Sequence, residues 1–246
     1  MSAWSDLLHR ALGVLGYAVH RWPANRFDGM RDALVLLRDA GYAPRIIIDC
    51  GANRGDWTRL ARSVFRWAAF HLVEPQIVWA ARLRELAERT PDLVVHSVAV
   101  TEPGVAQVRM VGIGTTGAFV ARPDEAGQGE AECPATTLDE LLADRVTRAD
   151  RALLKLDLEG HEVSALTGGR RLLLDIEVVI TEVQFYEIDG NARPTFTALT
   201  TFLEERGFEL YDLACLSARP RDRRLCMGDV IFVRRDSPLL ADRAWA

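Results

Sequence analysis

A β-branched run that ends in a glycine-rich turn constrains this chain more than any other feature. The run Arg45–Cys50 is typical of a strand buried on both faces, and the turn Gly51-Ala52-Asn53-Arg54-Gly55 follows it directly. Apolar residues then recur from Trp57 to Phe65 with the period of a helix. The sequence therefore predicts a strand, a tight turn and a helix, the unit that binds nucleotide-like ligands in open α/β sheets.

The alternation of strands and helices continues along the chain. Further strands are predicted over residues 69–73, 93–100, 105–111, 152–158 and 177–183, and helices over 28–40, 77–89, from Thr137, from about His161 and from Pro194. Two late strands, 208–214 and 229–234, flank a loop with four arginines. The pattern predicts an α/β fold with a mostly parallel, Rossmann-like sheet and a C-terminal antiparallel hairpin.

The 246-residue length suits one large domain. We expect residues 1–44 to form an N-terminal helical extension and residues 45–246 to form the domain itself. Apolar residues between Trp4 and Trp22 recur with helical period, which predicts an amphipathic helix that covers the core or joins two subunits of a homo-oligomer. Residues 112–133 lack a period and predict a long loop near the site.

Composition excludes several classes of partner and location. The net charge of −5 gives no basic excess for a nucleic-acid backbone, so no nucleic-acid partner is expected. No segment has the roughly 20 apolar residues that span a bilayer, so no transmembrane segment is predicted. The four cysteines have neither CxxC nor zinc-finger spacing, which predicts reduced thiols in a cytoplasmic protein.

The first candidate site lies at the glycine turn. Its G-x-N-x-G spacing differs from the dinucleotide fingerprint, and an acidic Asp56 begins the helix, which disfavours a diphosphate ligand. Glu74 ends the next strand, where a carboxylate can accept hydrogen bonds from both ribose hydroxyls. Asp49 is expected near a cationic part of the ligand. The alternative is a capping turn with a surface glutamate. Three tryptophans are expected to pack in the core: Trp57, Trp67 and Trp79.

The second candidate site follows the strand that ends near Leu158. Asp157, Glu159 and His161 are predicted at the mouth of the site, where they would remove a proton from a hydroxyl nucleophile. If the strand continues through the two carboxylates, both point to the same side. The alternative is that they cap the next helix. We assign no metal ligands, although Asp157, Glu159 and Glu182 would suit a divalent ion, and that alternative stays open.

Three segments together resemble the FkbM-type family of S-adenosylmethionine (SAM)-dependent methyltransferases: Ile48–Gly55, Val73-Glu74-Pro75 and Leu154–Glu162. The K-x-D-x-E-G-x-E run in the last segment is the most specific, and Gly228–Phe232 is similar to the closing strand of the family. The resemblance covers roughly residues 45 to 235. It implies a class I methyltransferase fold of seven strands, SAM as cofactor, and methyl transfer to the oxygen of a sugar or natural product. It also implies cofactor contacts at Asp49, Gly51, Asn53, Gly55, Glu74, Ser97 and Ala99.

Two other functions remain open at this point. The first is an NAD-dependent oxidoreductase on the same kind of sheet, which the absent third glycine and the late hairpin disfavour. The second is a non-catalytic module that binds SAM or a partner. For the methyltransferase we expect direct displacement, in which the enzyme mainly orients the reactants, an effect worth about 7–11 kcal/mol.

Overall fold

A computed structural model of the protein describes residues 26–122, 127–188 and 193–244. The predicted helix between Trp4 and Trp22, with its proposed subunit contact, lies outside these residues. Within them, no helix has the length and apolar character needed to cross a membrane.

The predicted seven-stranded sheet is confirmed. Its strands span β1 Ile46–Cys50, β2 Ala69–Val73, β3 Leu93–His96, β8 Ala152–Leu156, β9 Ile176–Gln184, β10 Phe208–Ala218 and β11 Leu225–Arg234. Their order is β10-β11-β9-β8-β1-β2-β3, and only β11 runs antiparallel to its neighbours β9 and β10. The carboxyl ends of the parallel strands therefore meet at one edge of the sheet, where open α/β sheets bind ligands.

Helices cover both faces of the sheet, as predicted. They span α1 Arg26–Asp39, α2 Asp56–Val64, α3 Ile77–Glu88, α4 Leu138–Leu142, α5 Glu162–Thr167 and α6 Phe196–Glu204, with short 3₁₀ turns at Arg148–Asp150, Leu172–Leu174 and Pro238–Leu240. Ile47 packs against the helices of one face and Ile48 against those of the other, and both are fully buried. A strand buried on both faces needs this continuous apolar run.

A second, four-stranded sheet was not predicted. Its order is β4-β7-β5-β6, with β4 Ala99–Val100, β5 Gln107–Val111, β6 Phe119–Val120 and β7 Ala131–Thr136. The prediction of one strand over 93–100 is therefore wrong, because the segment is divided between the two sheets. The predicted loop over 112–133 is also wrong in part, because it contains β6 and the start of β7. Periodicity detects strands but not which segments pair.

The first and last residues of several strands and helices also differ from the prediction. The strand predicted over 152–158 ends at Leu156, and the helix expected from Pro194 begins at Phe196, after the N-cap residue Thr195. Both late strands are longer than predicted. The capping box at Thr137 is confirmed, since its hydroxyl accepts the Glu140 backbone N–H. The four cysteines are free thiols, and Cys50 is fully buried.

Candidate active site

A cavity of about 330 Å³ opens at the carboxyl ends of β1, β2 and β8. Its floor is the glycine turn after β1. Its second wall is the small sheet, which contributes Met110 and Val120, with Ala118 from the loop just before β6. Phe27 and Met30 of α1 close another side. This volume is in the range of small-molecule and cofactor sites.

The glycine turn has the close packing that requires glycine. Gly51 has φ of 80°, and a Cβ there would collide with the Asp157 carbonyl oxygen. Asn53 also adopts a left-handed conformation, with φ of 47°. The Gly51 N–H donates to the Val73 carbonyl oxygen at 2.9 Å, which ties the turn to the end of β2. Only glycine adopts such a conformation at the contact without steric cost.

Glu74 lies at the cavity wall with 4% of its surface exposed. Its Oε2 accepts the Asn53 backbone N–H at 2.6 Å, and its Oε1 accepts the Gln76 backbone N–H at 2.9 Å. Burial raises the pKa of the Glu74 carboxyl, and the two N–H donors oppose that rise. Each carboxylate oxygen has a second lone pair with which to accept a ligand hydroxyl.

Beneath the cavity, Lys155 joins the ends of β1 and β8. Its Nζ lies 3.1 Å from Asp49 Oδ1 and 3.7 Å from Asp157 Oδ2. Thr58 Oγ1 donates to the other Asp49 oxygen at 2.6 Å. Burial by itself would lower the pKa of Lys155, but the carboxylates of Asp49, Asp157 and Asp229 outweigh it and hold that pKa above its ordinary value. Lys155 therefore stays charged and holds the side chains of Asp49 and Asp157 in place.

The turn from Asp157 to Glu162 connects β8 to α5. Because β8 ends at Leu156, the strand does not continue through Asp157 and Glu159, and the condition for placing them by strand alternation is not met. Both residues nevertheless line the cavity. Glu159 has φ of 53°, and the turn rather than a strand places its side chain. Glu162 stabilises the turn, since its Oε1 accepts the backbone N–H groups of Leu158 at 2.9 Å and Gly160 at 3.2 Å.

His161 is the N-cap residue of α5 and lines the cavity. Its Nε2 lies 2.9 Å from Thr101 Oγ1. Burial lowers the pKa of the imidazole to about 4, so the ring is neutral at physiological pH. A neutral ring can accept a proton, but one with so low a pKa holds it weakly.

Three carboxylates converge near the mouth of the cavity. One oxygen of each of Asp157, Glu159 and Glu182 lies within 4.8 Å of the others. Arg193 donates to Glu159 Oε2 at 2.8 Å, and Lys155 faces Asp157. The cluster has the oxygen donors that suit a divalent cation, and two of its members also face a cationic side chain.

The structure brings together seven of the ten residues predicted for the site. These seven line the cavity: Gly51, Asn53, Glu74, Ala99, Asp157, Glu159 and His161. The other three do not line it. Asp49 lies beneath it, fully buried, and Gly55 packs toward Leu83 and Leu86 of α3. Ser97 is exposed between β3 and β4.

Sequence analysis missed several lining residues. Lys155 stands inside the recognised K-x-D-x-E-G run, and it lines the cavity from β8, one residue before that strand ends. Trp57 was expected only to pack, yet it both packs and lines the cavity, while Trp67 is 54% exposed. Gln76 accepts the Gly114 N–H at 2.8 Å and so holds the loop above the cavity, a contact that no local signal predicts.

Solved structures share this fold. A protein provisionally assigned as a sarcosine dimethylglycine methyltransferase from Galdieria sulphuraria superposes with a TM-score of 0.52 at 10% identity, over 88% of this chain and 91% of that one. The 1,6-didemethyltoxoflavin-N1-methyltransferase of Burkholderia thailandensis, with bound S-adenosylhomocysteine, gives 0.46 at 16% identity, over 85% and 79%. At 10% identity, the likeness to the Galdieria protein concerns the fold alone, the class I methyltransferase fold. No curated protein sequence matches the chain.

The sequence also matches a family model, that of the methyltransferase FkbM domain, over residues 49–210. The match covers more than half of the chain and contains the glycine turn, Glu74 and the turn that bears Asp157. It favours the methyltransferase interpretation over the oxidoreductase. The chain therefore belongs to the FkbM methyltransferase family and is a SAM-dependent methyltransferase.

Proposed function

We propose that this protein methylates a hydroxyl oxygen of a sugar or natural product, with Asp157 as the residue that removes the hydroxyl proton. The supporting observation is that Asp157, Glu159 and His161 line the same cavity as Glu74 and the glycine turn. A proton acceptor is therefore adjacent to the cofactor pocket. An oxygen nucleophile needs such an acceptor because a hydroxyl is a weak nucleophile until its proton is removed.

The groups that line the cavity fit the cofactor. Glu74 has the free lone pairs for the ribose hydroxyls, and the apolar wall of Val98, Ala99 and Met110 suits a purine ring. Gly51, Asn53 and Gly55 form or support the turn that would hold the amino-acid end, and Asp49 would support it from beneath. Ser97 would contribute from the exposed segment between β3 and β4. Bound SAM supplies a methyl group on a positively charged sulfur.

Among the three candidate bases, the contacts favour Asp157. Glu159 accepts a hydrogen bond from Arg193 at 2.8 Å, which stabilises its charged form. His161 has a pKa lowered to about 4 by burial, and its Nε2 contacts Thr101. Asp157 lies next to the glycine turn, and its cationic neighbour Lys155 lies farther away, at 3.7 Å, than Arg193 lies from Glu159. The chain would thus hold the acceptor oxygen between Asp157 and the cofactor pocket and exclude water with the small sheet.

The acceptor is proposed to be a small molecule or glycan rather than a nucleic acid. The net charge is −5, and the mouth of the cavity carries the cluster of Asp157, Glu159 and Glu182. A phosphate backbone lying along this mouth would meet like charge.

The test is an acceptor panel with radiolabelled SAM, containing glycosides, phenolic and aliphatic hydroxyls, amines, carboxylates and RNA. We expect transfer to a hydroxyl, and a loss of about 10²–10⁴-fold in kcat in Asp157→Asn, the range for removal of a general base. Cofactor affinity, measured by calorimetry, should change little in that variant. The matched control is Asp144→Asn, which alters a carboxylate with 87% side-chain exposure that does not line the cavity.

Three results would contradict the proposal. Transfer to nitrogen would exclude O-methylation, and full turnover by Asp157→Asn would exclude that residue as the base. Cofactor binding without turnover on any acceptor would instead favour the non-catalytic module.

A further inference from the structure

A basic hairpin turn lies at the edge of the sheet that holds the cavity. The turn comprises residues 219–224 between β10 and β11 and contains Arg219, Arg221, Arg223, Arg224 and one acid, Asp222. Because β11 is antiparallel to both β9 and β10, the end of β10 points to the same edge as the carboxyl end of β9. Four arginines and one aspartate give this turn a net charge of +3 in a chain of net charge −5.

The turn is held in shape by its own contacts. Arg219 Nε donates to Asp222 Oδ1 at 3.0 Å, and the Arg219 and Arg224 backbones are joined by an N–H to carbonyl bond of 2.9 Å. Arg219 therefore engages the acid of the turn. Arg221, Arg223 and Arg224 are exposed, and Arg221 retains 79% side-chain exposure beside Asp222. A preformed turn with exposed guanidinium groups is suited to a phosphate, which guanidinium binds in a two-pronged geometry.

Tyr186 connects this turn to the acidic end of the site. The Arg224 guanidinium lies 4.0 Å from the centre of the Tyr186 ring, and that of Arg219 lies 5.6 Å from it. Tyr186 follows Glu182 by four residues, and Glu182 belongs to the carboxylate cluster beside Asp157. At about 3.3 Å per residue, the Cα atoms of Glu182 and Tyr186 lie no more than roughly 13 Å apart.

The two ends of this surface have opposite charge. The carboxylate cluster would repel the anionic part of an acceptor, while the basic hairpin turn would attract it. An acceptor with a hydroxyl at one end and a phosphate at the other would therefore bind in one orientation only.

We propose that the acceptor is a sugar carried on a diphosphate, and that the basic hairpin turn binds the diphosphate while the sugar hydroxyl lies at Asp157. This inference rests on the proposed methylation of a hydroxyl and assigns the chemical class of its acceptor. The diphosphate would come from a nucleoside diphosphate sugar or from a lipid-linked sugar, and both present the same group to the arginines.

The experiment is calorimetric titration of the whole chain with inorganic diphosphate at low ionic strength, with S-adenosylhomocysteine titrated separately. The variant Arg221→Ser/Arg223→Ser should bind diphosphate at least tenfold more weakly than the wild type. The matched control is Arg45→Ser/Arg89→Ser, which removes the same charge at arginines with 71% and 77% side-chain exposure outside the turn. Binding by this control should match that of the wild type.

Two further ligands distinguish the two possible carriers of the sugar, a nucleoside diphosphate and a lipid diphosphate. Uridine diphosphate glucose and a short-prenyl diphosphate glucose are titrated in the same way, and the tighter of the two identifies the carrier. The proposal is supported if either sugar diphosphate binds the wild type more tightly than inorganic diphosphate does, and if the Arg221→Ser/Arg223→Ser variant loses this tighter binding.

The opposite results overturn it. If both double variants bound diphosphate equally weakly, the cause would be a general charge effect. If both bound it as tightly as the wild type, the diphosphate site would lie outside the turn. A wild type that binds S-adenosylhomocysteine but not diphosphate would refute the diphosphate acceptor and leave the methyltransferase site intact. Tighter binding of single-stranded RNA, dependent on Arg221 and Arg223, would assign the turn to nucleic acid instead.

Discussion

Lys155 Nζ lies 3.1 Å from Asp49 Oδ1, with 4% and 0% of the two side chains exposed. The pair joins the adjacent strands β1 and β8 beneath the cavity. Each of the two residues belongs to one of the segments that resemble the FkbM family. Two charges removed from water this completely are stable only as partners, because each alone would bear a large desolvation cost.

Lys155→Met should therefore destabilise the protein by about 3–5 kcal/mol, the usual cost when one partner of a buried pair is removed. Urea denaturation followed by circular dichroism measures the change. Lys155→Met combined with Asp49→Asn should recover part of the loss, since the uncompensated carboxylate is gone. A single variant as stable as the wild type would show that the pair contributes nothing to the fold.

Glu74→Ala should weaken SAM binding by at least tenfold, because the carboxylate is the proposed acceptor for both ribose hydroxyls. Isothermal titration with SAM and S-adenosylhomocysteine measures the change, with NAD as the control ligand. Glu74→Gln keeps the size of the side chain but offers one acceptor oxygen, so we expect an intermediate affinity. Unchanged affinity in both variants would move the ribose site elsewhere.

His161 should make stability depend on pH in a defined window. Its pKa is lowered from 6.5 to about 4 in the folded state, so between these values the unfolded chain binds a proton that the folded chain does not. Stability from this group is complete above pH 6.5 and falls as pH falls toward 4, by up to about 3 kcal/mol. Urea denaturation of the wild type and His161→Gln at several pH values should show this difference between them. Parallel stability curves for the two proteins would contradict it.

Turnover should persist in EDTA. Arg193 lies 2.8 Å from Glu159 and Lys155 lies 3.7 Å from Asp157, so two members of the carboxylate cluster already have a cationic neighbour. Methyl transfer assayed with and without EDTA, after dialysis, tests this expectation. Loss of activity that Mg²⁺ restores would instead assign a divalent cation to Asp157, Glu159 and Glu182.

Local signals were enough for much of the site. The glycine turn, the strand that ends at Glu74 and the turn with Asp157 are each defined by a few consecutive residues, and their order along the chain implies a common sheet edge. Gly51 could be predicted because its backbone conformation is a local property. The second wall of the cavity, formed by the small sheet, could not be predicted, because its strands β4 and β7 pair across more than thirty residues of sequence.

The sequence by itself determined the α/β order, the parallel sheet with its late hairpin and the family, because hydrophobic period and glycine placement act within a few residues. Only the tertiary structure decided which charges meet. Lys155 reaches Asp49, Arg193 reaches Glu159 and Arg224 covers Tyr186 through contacts between residues more than thirty positions apart. Such contacts depend on strand register and on the packing of whole elements, which no local pattern of residues encodes.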